Sequence, residues 1–158
     1  MRYLLILLLP IILFAESYDF DEYKFISAAA TEFKKSGNLS FDGNKTVITY
    51  SKPKYKQIIS YDKNASIKGA SGKIYRLKGK ALFYTQMFIN IMVKLDKIEN
   101  LKTNREFDVT KKDSIYHLSF KGEIEDQILS AEVKTEATTV KSFKLFMKND
   151  DTLEIVKR

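Results

Sequence analysis

The sequence predicts a mainly β protein with α: a strongly curved antiparallel sheet of about nine strands around one long apolar helix. Three observations predict it. Turn signals recur at short, regular intervals, and the stretches between them alternate apolar with polar residues. Ala81 to Leu95 breaks that alternation with eleven apolar residues among fifteen, spaced as on a helix. Pro occurs only at positions 10 and 53, so it interrupts just one of the alternating stretches.

The chain opens on Arg2 and an apolar run from Tyr3 to Phe14. A spanning helix needs about 20 such residues, so the run fits an export signal. Cleavage after Ser17 would place the small Ala15 at the −3 position, giving residues 1–17 as signal and 18–158 as one domain. The alternative is an uncleaved anchor. With no Cys to carry a lipid, the exported product is expected to be left soluble in a periplasm.

Residues 18–35 read as a short helix or irregular start running into a strand, because Phe25, Ala29 and Phe33 share a helical face. Leu39 and Phe41 then alternate up to a hairpin at Asp42-Gly43-Asn44. Lys45 to Ser51 follows as a strand with Val47 and Thr49 on one face and Ile48 and Tyr50 on the other, ended by Pro53. Tyr55 to Tyr61, Ser66 to Lys68 and Lys73 to Leu77 are the next strands. In the helix, Tyr84, Phe88, Ile91, Met92 and Leu95 form one stripe; Leu82, Ile89 and Val93 form a second, and Phe83 and Met87 a third. Strands resume with Phe107 and Val109, then Tyr116, Leu118 and Phe120. Leu129, Ala131 and Val133 follow, then Phe143, Leu145 and Met147, then Leu153 and Ile155.

Composition narrows the chemistry. With no Cys there is no thiolate nucleophile, disulfide or Cys-ligated metal, and one His excludes sites that need two imidazoles from this chain. His117 reads as a rim residue, since no nucleophile motif accompanies it. Gly69 and Gly72 are too few for a phosphate loop, and Asn149-Asp150-Asp151 reads as a turn. No cofactor is implied. Lys and Arg outnumber Asp and Glu by 27 to 20. The lysines read as scattered over strand outer faces, which suits a mild attraction to anionic surfaces or acidic partners rather than nucleic acid.

A helix apolar on several sides, under a sheet rich in Phe and Tyr, either fills a core or leaves an apolar groove that Met87, Met92 and Met147 can adapt. Periodicity leaves both open.

The order of features resembles the outer-membrane lipoprotein carrier family, the LolA-like proteins. The resemblance rests on Ser36-Gly37-x-Leu39-x-Phe41 before a hairpin, and on Ile48-x-Tyr50-x-x-Pro53 followed by Ile58-Ile59 and Tyr61-Asp62. It continues through Phe88-Ile89-x-Ile91-Met92, Leu101 and Phe107-x-Val109, and ends with Val140-x-x-Phe143 and Asn149-Asp150-Asp151-Thr152-x-x-Ile155. It implies a half-open barrel of about nine to eleven strands covered by one or two helices, whose cavity holds the acyl chains of a lipoprotein or other lipid cargo. It also implies a monomeric, non-catalytic carrier between an inner-membrane release complex and an outer-membrane acceptor. The candidate lining is then Phe41, Tyr50, Ile59, Phe83, Tyr84, Phe88, Ile91, Met92, Tyr116, Leu118, Phe143 and Leu145. The alternatives are a carrier of another amphiphile, such as a glycolipid, and a filled-core interaction module.

Overall fold

The computed structural model describes residues 16–94, 101–103, 105, 107–137 and 139–158. The expected export segment falls outside the described residues except for Glu16 and Ser17, which already belong to the first strand. Leu95, the expected end of the helix, also lies outside them.

Among the described residues, eleven strands and one α-helix make the fold. In chain order they are β1 (Glu16–Ile26), β2 (Thr31–Asp42), β3 (Lys45–Lys52), β4 (Lys56–Tyr61), β5 (Asn64–Gly69), β6 (Ile74–Arg76), α1 (Gly79–Lys94), β7 (Phe107–Lys112), β8 (Ile115–Phe120), β9 (Ile128–Glu136), β10 (Thr139–Met147) and β11 (Thr152–Lys157). All pairings are antiparallel, in one sheet ordered β6-β5-β4-β3-β2-β1-β11-β10-β9-β8-β7. Two meanders therefore meet where β1 pairs with β11, and β6 and β7 are the free edges of an open sheet.

The sheet has to curl. Laid flat, eleven strands at about 4.8 Å would span roughly 50 Å, while a helix is about 10 Å across. Yet a single buried cluster joins α1 to residues of β1 to β4 and β7 to β11, from Ile58 round to Phe107. Phe20, Leu39, Ile48, Leu118, Phe143 and Ile155 form its centre. Burying each such side chain contributes about 1.5–3 kcal/mol.

Residues 18–35 differ from the sequence reading. They form two long strands joined by a single 3-10 turn, Ser27–Ala29, with no α-helix. Tyr18, Phe20 and Glu22 are buried while Ser17 and Asp19 are exposed, a period of two that outweighs the local helix propensity of the alanines. Phe33, assigned to a helical face, is exposed on β2. The hairpin loop is Gly43-Asn44, closed by Asp42 opposite Lys45, and only Gly43 takes positive φ there. Leu129 is exposed as well. Between Ser130 and Ile128 the pairing with β10 slips by one residue, and that bulge turns Ile128 inward instead.

The lysines are not evenly scattered. Nine Lys and Arg fall within residues 52–80 against one acid, Asp62. That stretch runs from the end of β3 through β4, β5 and β6 into the start of α1, so the charge gathers at one sheet edge.

Candidate functional site

Between α1 and the sheet lies an open cavity of about 290 Å³. The first ten residues of α1 supply Tyr84, Thr85, Met87 and Phe88. Glu22 of β1, Tyr50 of β3 and Ile58 of β4 form one wall, and Gln127, Ile128, Leu145, Met147 and Leu153 form the other. Nine of these twelve residues are apolar or aromatic. The long, adaptable side chains of Met87 and Met147 sit on opposite sides.

Alternation places these groups. Ile58 pairs with Ile48, and both side chains are buried. Tyr18, Phe20 and Glu22 alternate on β1, so the buried face of that strand ends in a carboxylate. Gly37 makes room for the Phe20 ring: a Cβ there would come within 2.8 Å of Phe20 Cζ and 2.7 Å of the Thr49 carbonyl oxygen. The ring stands edge-on to Tyr50, with centroids 5.7 Å apart. The helix is tied down at its other end, where the Tyr18 hydroxyl donates to the Met92 carbonyl oxygen at 2.8 Å.

Glu22 is the exceptional lining residue. It is only 4% exposed and sits in an otherwise apolar wall. Its carboxylate is held by two donors: the Tyr50 hydroxyl donates to Oε2 at 2.6 Å, and Lys35 Nζ donates to Oε1 at 2.9 Å. Burying a carboxylate is costly unless it is paired and hydrogen-bonded, and here both conditions are met. Burial, then the neighbouring carboxylate, pushes the Tyr50 hydroxyl well above its ordinary pKa, so it remains a donor.

A second hollow of about 350 Å³ adjoins the first and shares Tyr50 with it. Its walls are Lys35, Pro53, Lys54, Tyr55, Lys56, Ile67 and Gly69. The Lys56 ammonium is held below its ordinary pKa by burial, and then by the like charge of Lys35.

Of the residues nominated from the sequence, Tyr50, Tyr84, Phe88 and Leu145 line the main cavity. Ile91, Met92, Leu118 and Phe143 are buried in the core cluster, with Phe41 and Tyr116 packed against it. Ile59 stands on the opposite face of β4 from Ile58, paired with Val47 of β3. Phe83 is exposed and does not line the cavity; it sits with Gly79, Lys80 and Asp126 at an adjoining hollow that shares Tyr84 and Gln127 with it. Met87 and Met147, read from the sequence as adaptable groove residues, also line the main cavity, whereas Glu22, Ile58, Thr85, Gln127, Ile128 and Leu153 were missed as lining. The period of two through Tyr18, Phe20 and Glu22 was the available signal for the carboxylate.

His117 lies on β8, half-exposed, with Nδ1 3.6 Å from Glu132 Oε1. Among the described residues no group of three or more His, Asp or Glu could hold a metal ion. No described helix is long and apolar enough to cross a membrane.

The chain is similar in fold to several solved structures. A LolA superfamily protein from Nitrosomonas europaea matches at 7% identity and a TM-score of 0.42, over 91% of this chain and 84% of that one. An outer membrane lipoprotein-sorting protein domain from Vibrio parahaemolyticus matches at 6% identity and 0.42, over 89% and 82%. A DUF1329 family protein from Desulfovibrio piger matches at 11% identity and 0.43, over 90% and 82%. No family model and no curated protein matches the sequence.

Proposed function

We propose that the protein is a non-catalytic carrier that shields an acyl chain of an amphiphile while it crosses water. The open apolar cavity between α1 and the sheet carries this reading. Each methylene taken out of water contributes about 0.8 kcal/mol, so an uncovered chain does not leave a membrane readily. A cavity walled by Met and aromatic side chains can cover one and release it again. The apolar run at residues 3–14 supports export, with the periplasm as the compartment crossed.

The sequence resemblance implies a lipoprotein as cargo, moved from the inner to the outer membrane. The volume of about 290 Å³ favours a second reading, a smaller amphiphile such as a single-chain lipid, since this is the low end of the range for drug-sized ligands. Native mass spectrometry of protein exported to a periplasm and purified without detergent separates the two. A co-purified acylated protein supports the first cargo and a free lipid the second. No bound lipid, together with no binding of an added fatty acid, would overturn the carrier.

A further inference from the structure

We infer that the β4–β6 edge docks the protein onto an anionic lipid surface. Residues 52–80 carry a net charge of +8, leaving −1 for the rest of a chain whose total is +7. Sheet order puts β4, β5 and β6 together at one end, so this charge gathers along one edge of the sheet, on both of its faces. It is also unneutralised: among the described residues, none of the nine Lys and Arg forms an ion pair with a carboxylate. The ion pairs lie elsewhere, as between Lys34 and Asp21, Lys121 and Asp108, and Lys141 and Glu136.

The same edge exposes apolar groups. Tyr55, Tyr61, Ile74 and Tyr75 are four of the seven large apolar side chains exposed among the described residues. Ile74 and Tyr75 are adjacent on the edge strand itself, and Lys73 Nζ lies 5.2 Å from the Tyr75 ring centre. Basic groups with interleaved aromatics match the interface of an anionic bilayer, where rings sit at headgroup level and each nearby cation adds attraction. Lysines on an edge strand also block strand-to-strand pairing, but that role needs neither a charge of +8 nor an exposed Ile-Tyr pair. The second hollow, walled by Lys54, Tyr55 and Lys56, joins this edge to Tyr50 at the cavity.

The test is flotation of the purified protein, free of lipid, with vesicles of phosphatidylglycerol and phosphatidylethanolamine or of phosphatidylcholine alone. Binding is expected only to the anionic vesicles and is expected to disappear in high salt. Combined K73Q, K78Q and K80Q should weaken it at least about tenfold. I74S with Y75S should weaken it with the charge unchanged. Combined K111Q and K112Q on the edge strand β7 with K134Q on β9, in the other half of the sheet, should leave it unaltered. Absence of vesicle binding, salt-insensitive binding, or equal loss in both lysine sets would overturn the inference. Binding to acidic proteins but not to vesicles would also overturn it. Vesicle binding reads this edge alone and a fatty-acid titration reads the cavity alone, so the two proposals fail separately.

Discussion

The Tyr50 hydroxyl donates to Glu22 Oε2 across 2.6 Å, joining β3 to β1 at the floor of an apolar cavity. Tyr50 keeps its ring on Phe20 and its hydroxyl on the only carboxylate in the lining. Tyr50→Phe keeps the ring and removes the donor, leaving Lys35 as the sole side-chain partner of a buried charge. The expected loss is about 1–3 kcal/mol in urea unfolding. The wild type carries a pH signature too. Because the folded hydroxyl is raised above the ordinary 10.0, its contribution is present below that pH and is lost as pH rises past it. The variant should lack this alkaline loss. Identical stability in both proteins would show that the bond contributes nothing.

Gly37 is glycine because another side chain occupies the space a Cβ needs. Gly37→Ala puts that carbon within 2.8 Å of Phe20 and 2.7 Å of a backbone oxygen. Overpacking of this kind costs about 1–3 kcal/mol. Thermal unfolding should show a lower Tm, and adding Phe20→Leu should recover part of the loss. A Tm equal to wild type in the single variant would contradict the close packing.

Asp21 accepts from the Ser36 hydroxyl at 2.6 Å and from Lys34 Nζ at 3.0 Å, and Arg158 Nε adds an ion pair at 3.8 Å. The Ser36 hydrogen bond, then Lys34, holds its carboxyl below the usual 3.8. A lowered folded value means stability that is present above 3.8 and lost as pH falls through the folded value. Asp21→Asn should therefore lower Tm at neutral pH, and the gap should close by about pH 2. A gap that stays constant with pH would show that charge is not its cause.

Much of the fold was legible in sequence because period two is a direct consequence of the pleat. Ile48 and Tyr50 against Val47 and Thr49 follow from it, and the helix over residues 81–94 follows from the change to helical spacing. The first strand was missed despite the period of two in Tyr18, Phe20 and Glu22, because Ala28, Ala29 and Ala30 mimic a helix where the chain makes one tight turn. The cavity was harder. Helical spacing makes Tyr84, Phe88, Ile91 and Met92 equivalent, and only the position of the sheet beneath α1 separates the cavity pair from the core pair. Ile58 and Ile59 are chemically alike, and pairing with β3 decides which faces inward. The charge concentration at residues 52–80 can be summed from the sequence, but its meaning as a surface needs the strand order.

The most direct test of the carrier is titration of the purified protein with a fluorescent fatty acid. Wild type is expected to bind it saturably. Phe88→Asp places a charge in the cavity wall and should weaken binding at least about tenfold, since an unpaired charge there costs more than one pKa-unit equivalent. Phe83→Asp, outside that cavity on the same helix, should bind like wild type. Circular dichroism confirms that both variants are folded. A folded wild type that binds no fatty acid, or a folded Phe88→Asp that binds as tightly as wild type, would contradict the assignment of the cavity to an acyl chain.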